Sequence, residues 1–177
     1  MLTLETRRLL LRPYMSADAD FVLDLYSRME VQRYIGNPPK LMQNRSEALA
    51  LIEAWHRRDD GTCGIWAVQD KGAGKLAGTL LLKPIPASGP ERQPSGDIEI
   101  GWHFHPGSWG KGYASEAAAA VLQHAFDAGL PRVVAVTNPA NSASMRVCEK
   151  IGLQHHGPTD RYYNTVCEFF TADAPRA

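Results

Sequence analysis

Apolar and polar positions recur with two different periods along the chain, and these periods divide it into predicted strands and helices. Residues 8–12 form a short apolar run closed by Pro13, which predicts a strand. Two amphipathic helices follow, one beginning at Ser16 and one covering residues 46–58 with Ser46 as its N-cap. Each has an acidic residue in its first turn, where the helix dipole favours negative charge.

The central part of the chain reads mainly as strands. Residues 64–68 and 76–82 are apolar runs joined through residues 70–74, whose glycines predict an antiparallel hairpin. Residues 84–96 contain four prolines and two glycines, a composition that predicts a loop. Residues 97–105 alternate between apolar and polar positions, so they predict a strand with one apolar face.

The last third of the chain alternates between helix and strand. A long helix follows the glycine-rich residues 106–112 and stops at Gly129, and residues 133–136 predict a buried, parallel strand. Residues 138–141 introduce another helix, which Gly152 ends. Two weaker strands are predicted at residues 153–156 and 163–170.

This order of elements predicts an α/β (mixed α+β) fold in which helices cover a central mixed sheet. The length of 177 residues fits a single domain over residues 1–177, since a domain averages about 150 residues. Nineteen basic and nineteen acidic residues cancel to a formal charge of zero, so the strong positive field of a general nucleic-acid or anionic-membrane binder is missing. We expect no nucleic-acid partner.

Cysteine usage and hydropathy bear on the compartment. Three widely spaced cysteines suit neither a disulfide framework nor a zinc site, which favours a reducing environment. The longest uninterrupted apolar run, Ala117–Leu122, is far shorter than the roughly 20 residues of a membrane helix. We therefore expect a soluble, cytoplasmic protein with no membrane partner.

The strand-to-helix junction around Gly107, Gly110 and Gly112 is the most informative segment. The free N–H groups of a first helical turn, the helix dipole and closely approachable glycines together favour a phosphorylated ligand, although a simple tight turn has the same composition. A P-loop is excluded because Lys111 is followed by glycine rather than by serine or threonine. Residues 72–77 match a dinucleotide fingerprint but lead into a predicted strand instead of a helix.

Other chemical signals are weaker. His103 and His105 share one strand face with a spacing found in metal sites, but no third ligand is evident, so we predict no metal. No Gly-x-Ser-x-Gly elbow occurs, and no cysteine lies in an activating setting.

The run from Trp109 to Ala117 resembles the acyl-CoA pyrophosphate loop of the GNAT (Gcn5-related) N-acetyltransferase superfamily. That loop has Gln or Arg, two residues, Gly, one residue, and Gly or Ala; Gly112 and Ala114 match, while Trp109 departs from it. The Trp-Gly-Lys-Gly-Tyr run is similar to the ribosomal-protein N-terminal acetyltransferase (RimJ/RimL-like) branch, as are residues 6–13 and 138–153.

The resemblance implies a mostly antiparallel sheet with one splayed parallel strand pair, helices on both faces, and acetyl-CoA between the splayed strands. The pantetheine then pairs with the main chain near Trp102, His103 and Phe104, and the amides of the glycine loop hold the pyrophosphate. Asn141 matches a position that contacts the cofactor near its pantetheine arm, with a plain N-cap role as the alternative, and both roles are compatible. The full implied set is Trp102, His103, Phe104, Trp109, Gly110, Lys111, Gly112, Tyr113, Ala114 and Asn141.

The chemistry implied is attack of an amine on a thioester, which requires removal of a proton, carbonyl polarisation and protonation of the thiolate. Glu99 is the candidate base, with a salt-bridged strand residue as the alternative interpretation. A main-chain N–H near Phe104 is expected to polarise the carbonyl. Cys148 stands where many relatives carry the acid tyrosine, so Ser144 is the candidate acid, unless it only caps its helix.

The resemblance therefore predicts an acetyl-CoA-dependent N-acetyltransferase acting on a protein or peptide N-terminal amine, as a monomer or homodimer. Two alternatives stay open from the sequence. One is acetylation of a small amine such as an amino acid, polyamine or aminoglycoside, because acceptor pockets are built from variable loops. The other is a non-catalytic acyl-CoA sensor. It stays open because Cys148 stands where many relatives have the tyrosine that acts as the acid.

Overall fold

The computed structural model describes residues 2–36, 38–91 and 93–175, and within them a twisted sheet forms the centre of the molecule. Its order is β1-β2-β3-β4-β5-β6-β8-β7, and every neighbouring pair is antiparallel except β5 and β6. The strands are β1 (Leu4–Glu5), β2 (Leu9–Pro13), β3 (Gly64–Asp70), β4 (Leu76–Pro86), β5 (Pro94–Phe104), β6 (Arg132–Thr137), β7 (Gln154–Thr159) and β8 (Cys167–Asp173).

Helices cover both faces of the sheet, which confirms the predicted architecture. On one face α4 and α5 bury a core that includes Leu80, Ile100 and Val121. On the other face α1 and α3 pack around Trp55 and Ile65. The helices are α1 (Ala19–Tyr26), α2 (Met29–Gln32), α3 (Arg45–His56), α4 (Tyr113–Asp127) and α5 (Ser142–Lys150).

Two predicted helix starts are wrong by one turn or less. Ser46 is not the N-cap of α3; Asn44 is, because its side-chain oxygen accepts the N–H of Glu47 at 3.0 Å. Ser16 begins a short 3-10 turn, and α1 itself starts at Ala19. At α3 the earlier Asn44 takes the capping role from Ser46, whereas at α1 a 3-10 turn precedes the helix and no side chain caps it.

The predicted loop over residues 84–96 is also wrong in extent. Strands β4 and β5 run on to Pro86 and back from Pro94, so only the residues between these prolines connect them. The prolines fit because the pairing register shifts between Pro84 and Pro86, a bulge that tolerates residues without an N–H donor.

The one parallel contact between described strands lies at the middle of the sheet. Glu99 of β5 and Val134 of β6 form the only registered parallel pair in the described residues. Beyond that pair β5 continues to Phe104 and β6 to Thr137 without pairing to each other. The strands therefore diverge and leave a groove at the end of the sheet that the glycine-rich segment follows.

Candidate active site

Two glycines shape the segment that enters α4. Gly110 and Gly112 have φ angles of +74° and +76°, in the left-handed region that side chains other than glycine adopt at a cost. Gly112 is the N-cap of α4. The turn therefore needs glycine at both positions, and it directs the first helical amides outward.

The main-chain amides of this segment are unused. No N–H group from Gly110 to Ala114 donates a hydrogen bond to another described residue. Lys111 is exposed beside them, with its ammonium 5.9 Å from the centroid of the Tyr113 ring. Adjacent free amides at a helix start, with a cation close by, form a site of the kind that binds phosphate groups.

Glu116 anchors the start of α4 to the first hairpin. Its carboxylate accepts hydrogen bonds from the Thr6 hydroxyl at 2.6 Å, and from the Arg8 main chain at 2.9 Å and side chain at 2.7 Å. Burial raises the pKa of Glu116, but the bonds from Thr6 and Arg8 outweigh it and lower the pKa. The glycine turn is thus held rigidly in place.

Main-chain groups of β5 face the groove on the side away from β4. The His105 N–H donates to the Ala77 carbonyl of the neighbouring chain segment at 2.9 Å. Because amide directions alternate along a strand, the N–H groups of Phe104 and Trp102 point the other way, into the groove. The Trp109 indole N–H donates to the Phe104 carbonyl at 2.7 Å, so this side chain lies at the groove edge.

The opposite wall is the end of β6 and the start of α5. The Asn141 side-chain oxygen accepts the Ser144 N–H at 3.1 Å, so Asn141 is the N-cap of α5. The Thr137 hydroxyl is buried without a hydrogen-bond partner among the described residues. Such an orphaned group is costly unless a ligand or water completes it.

Cys148 lies in the core below this wall. Its thiol is fully buried, and burial raises its pKa to about 12. A thiol of this kind is a poor proton donor. Ser144, one turn earlier, is only half-buried, and its hydroxyl makes no hydrogen bond within the described chain.

Glu99 is at the point where the strands part and belongs to a buried polar cluster. Only 7% of it is exposed. One carboxylate oxygen, Oε2, accepts the Lys83 ammonium at 2.8 Å and the Tyr163 hydroxyl at 2.5 Å. Lys83 also contacts the Tyr163 oxygen at 2.6 Å. The other oxygen, Oε1, has no hydrogen bond from any described residue.

Tyr163 reaches Glu99 from a strained loop between β7 and β8. Its φ is +60°, and that of Asn164 is +56°, an uncommon conformation for a bulky residue. Asn164 holds the loop against the β4–β5 connection, since its side chain accepts the Gly89 N–H at 2.6 Å and its own N–H donates to the Ser88 hydroxyl at 3.0 Å. Burial, followed by the charge of Glu99, raises the pKa of Tyr163, so the phenol stays protonated.

His103 lies farther along β5 on the same sheet face as Glu99. Its Nδ1 is 2.9 Å from the hydroxyl of Tyr26 at the end of α1. Tyr26 in turn contacts Thr79 of β4, which contacts Tyr14. The polar groups of this face therefore form two clusters, around Glu99 and around His103.

Comparison with known proteins identifies the family. Residues 8–154 match the family model described as an acetyltransferase (GNAT) domain. The chain is a GNAT acetyltransferase. An uncharacterized N-acetyltransferase of Bacillus subtilis (strain 168), YoaA, is 32% identical over 161 residues, covering 90% of this chain and 86% of that protein.

Solved structures agree with this assignment. A GNAT-family acetyltransferase from Bacillus anthracis has a TM-score of 0.74 at 27% identity and covers 96% of both chains. RimL, a ribosomal L7/L12 α-N-protein acetyltransferase in complex with coenzyme A, has a TM-score of 0.77 at 17% identity, with 97% and 98% of the two chains covered. The second likeness shows the shared fold.

The predicted residues are on the elements that border the unpaired ends of β5 and β6. Trp102 and Phe104 are on β5, the glycine loop precedes α4, Asn141 and Ser144 are at the start of α5, and Glu99 is in the one parallel pair between described strands. His103 and His105 do not share a metal site, and no group of three or more candidate metal ligands occurs among the described residues. No described helix is long and apolar enough to cross a membrane.

Sequence reasoning missed Lys83, Tyr163 and Tyr26. Lys83 is directly opposite Glu99 in the β4–β5 register, so an exact strand pairing would have indicated it. The prediction of a loop from residue 84 onward concealed that register. Tyr163 and Tyr26 are 64 and 77 positions from their partners and carried no signal in the local pattern.

Proposed function

We propose that this GNAT acetyltransferase transfers an acetyl group from acetyl-CoA to the N-terminal α-amine of a protein or peptide. The observation that carries the proposal is the groove between β5 and β6, which is bordered by unused main-chain amides at both its strand edge and its glycine loop. A ligand with two amides and a pyrophosphate matches both sets. The similarity of the Trp-Gly-Lys-Gly-Tyr run to the RimJ/RimL-like branch supports a protein acceptor.

The pyrophosphate would be held by the amides of Gly110, Lys111, Gly112, Tyr113 and Ala114. Two of these positions have positive φ and are glycines, so no side chain lies between their amides and an approaching phosphate. The Lys111 ammonium adds a charge that can follow the phosphate because its side chain is exposed. These residues fit an anion, since no acidic side chain competes for the same amides in the described chain.

The pantetheine arm would lie along β5 as an additional strand. The outward N–H groups of Trp102 and Phe104 are available to it, while the main chain of His103 between them faces β4 and keeps the two groups in line. On the opposite wall, the Asn141 amide nitrogen and the orphaned Thr137 hydroxyl are available to complete hydrogen bonds with a ligand. Trp109 would cover the outer edge of the groove.

Acetyl-CoA supplies an acyl group activated as a thioester, and the protein has to manage protons around it. Glu99 would attract the ammonium form of the amine and accept a proton through its free oxygen Oε1, directly or through water. Lys83 and Tyr163 hold the other oxygen and keep the carboxylate oriented. The Phe104 N–H would polarise the thioester carbonyl.

Ser144 would protonate the departing thiolate. Its half-buried hydroxyl lies one turn after Asn141 and is free of other hydrogen bonds within the described residues. Cys148 is unsuited to this step because its thiol is sealed in the core. Many relatives use a tyrosine at the position of Cys148 to protonate the thiolate. Here Ser144 of the same helix would take that role instead of the cysteine.

Substitution of Glu99 by Gln tests the base. The change keeps the shape and removes the basic carboxylate, so kcat/KM should fall roughly 10²-fold near pH 7. The loss should shrink as pH rises, because an α-amine with a pKa near 8 loses its proton unaided at high pH. Glu53→Gln on the exposed face of α3 is the matched control. Full kcat/KM for folded Glu99→Gln across pH 6 to 9 would make Glu99 structural.

The acceptor is tested by following thiol release from acetyl-CoA with three sets of amines. Peptides with a free N-terminus should react, and the same peptides with a blocked N-terminus and a free lysine should not. Amino acids, polyamines and aminoglycosides form the third set. Faster turnover of any of these than of every free-N-terminus peptide would replace the proposed acceptor by a small amine.

A further inference from the structure

The His103 side chain adjoins Phe104, whose N–H the proposed function assigns to the thioester carbonyl. It is flanked in sequence by Trp102 and Phe104, whose N–H groups face the groove, while its own side chain projects to the sheet face that carries Glu99. Gly101 between Glu99 and His103 has no side chain, and the apolar Leu81 covers it. Glu99 and His103 therefore border this face from either side of Gly101.

A chain of hydrogen bonds leads from His103 into the interior. Its Nδ1 is 2.9 Å from the Tyr26 hydroxyl, which is 3.2 Å from the Thr79 hydroxyl. Thr79 is 2.8 Å from the Tyr14 hydroxyl, and Tyr14 is 3.3 Å from the Gly78 carbonyl. Tyr14, Tyr26 and Thr79 are buried, so water does not interrupt the chain.

The carbonyl at the end gives this chain one direction. The Gly78 oxygen can only accept, so Tyr14 donates to it, and each hydroxyl has a single hydrogen to give. Thr79 then donates to Tyr14, and Tyr26 donates to Thr79. The remaining partner, His103, must donate its Nδ1–H to Tyr26. The lone pair of a neutral ring is left on Nε2, which has no hydrogen-bond partner in the described chain.

We propose that Nε2 of His103 is a second proton acceptor in acyl transfer, acting on the amine as it bonds to the thioester carbon. This rests on the proposed function. An ammonium that becomes an amide must lose two protons from nitrogen, and Glu99 accounts for the first. As the C–N bond forms and the C–S bond breaks, the second proton passes to Nε2 and from there to water, while the thiolate takes a proton from Ser144, which water replenishes.

The surroundings of His103 keep its ring neutral, so Nε2 retains its lone pair near pH 7. Burial, and then the positive charge of Lys83, lower its pKa to about 4. Tyr26 also packs edge-on against the ring, with centroids 5.6 Å apart, which fixes its orientation. His103 is thus held as a neutral imidazole with one defined tautomer.

The tautomer is measured first, by nitrogen NMR of the ring in protein labelled at histidine. We expect a protonated Nδ1 and an unprotonated Nε2 near pH 7, whether or not a substrate is turned over. In Tyr26→Phe the acceptor for Nδ1–H is removed, and the population should move toward the Nε2–H form that free histidine prefers. A wild-type ring with its proton on Nε2 would overturn the proposal.

The catalytic part is measured with His103→Asn, which keeps an N–H donor near the place of Nδ1 and removes Nε2. We expect kcat to fall roughly 10²-fold, with the acetyl-CoA dissociation constant unchanged because main-chain groups bind it. Tyr26→Phe, which only positions the ring, should lower kcat less and leave KM for acetyl-CoA unchanged. His155→Asn, on β7 away from the groove, is the control and should behave as wild type.

The outcomes separate this proposal from the one on which it rests. Wild-type protein that releases no thiol with any amine would overturn both. Wild-type turnover combined with full kcat in folded, acetyl-CoA-binding His103→Asn would overturn only the role of His103. Loss of kcat in His103→Asn together with the expected ring tautomer would support it.

Discussion

At the residue scale, Tyr163 is a bulky residue whose backbone lies in the left-handed region. A tyrosine at positive φ costs on the order of 1 kcal/mol or more, and the surrounding structure has to compensate for it. Three hydrogen bonds compensate for it. The Tyr163 hydroxyl donates to Glu99 and accepts from Lys83, and the neighbouring Asn164 side chain accepts from the Gly89 N–H. The strain therefore serves to hold a phenol against the carboxylate.

Tyr163→Phe should therefore reduce activity as well as stability. Loss of a hydrogen bond to a charged group costs about 1.5–3 kcal/mol, and Glu99 would lose one of its two orienting donors. We expect kcat/KM to fall about tenfold, measured by thiol release. The adjacent Tyr162 donates to Asp97 at 2.7 Å, so Tyr162→Phe is a control that loses a similar bond. Equal kcat/KM in the two variants would mean that Tyr163 is structural only.

The sequence was sufficient to single out Glu99 as a candidate base but not to find its hydrogen-bond partners. Glu99 is a carboxylate on the polar side of an alternating strand, and the family resemblance assigns that strand to the cofactor. The contacts of Lys83 and Tyr163 depend on strand register and on a loop conformation, which local periodicity does not encode.

At the element scale, the turn before α4 depends on positive φ angles at two positions, and both positions are glycines in the sequence. The turn was predictable because only glycine adopts this conformation readily. The anion site inferred from its free amides stays a prediction. Asn44 as N-cap and the full length of β4 and β5 were not predictable in the same way. Several polar residues compete for one cap, and prolines fit a strand at a bulge that only the folded sheet defines.

Gly112→Ala tests the role of that turn. A Cβ at φ +76° introduces backbone strain of about 1–2 kcal/mol and places a methyl group beside the free amides. Gly129, just after α4, has φ +89° and open space around it, so Gly129→Ala carries similar strain away from the groove. Calorimetric titration should show acetyl-CoA affinity reduced at least about tenfold in Gly112→Ala alone. Equal affinity in both variants would contradict the pyrophosphate assignment.

At the scale of the whole molecule, the half-buried His103 makes stability depend on pH. Its pKa is about 4 in the folded protein against about 6.5 when unfolded, so the unfolded chain binds a proton first as pH falls. Stability should therefore decline between pH 6.5 and 4, by up to about 3 kcal/mol, with no further loss from this group below pH 4. Asp70 and Glu116, whose pKa values are lowered, contribute to a separate loss below about pH 4.5.

Denaturant unfolding of wild type and His103→Asn at several pH values measures this contribution. The slope of unfolding free energy against pH between 6.5 and 4 should be smaller in the variant, and the two slopes should agree above pH 7. An unchanged slope in the variant would assign the decline to other histidines.

Hydrogen bonds join the loop that contains Tyr163 to the connection between β4 and β5. This link has a consequence for how the enzyme can change over evolutionary time. Ser88 and Gly89 on one side and Asn164 on the other exchange hydrogen bonds in both directions. A substitution that reshapes either segment also loosens the loop that carries Tyr163 and disturbs the hydrogen bond of Tyr163 to Glu99. We therefore expect the two segments to change together over evolutionary time.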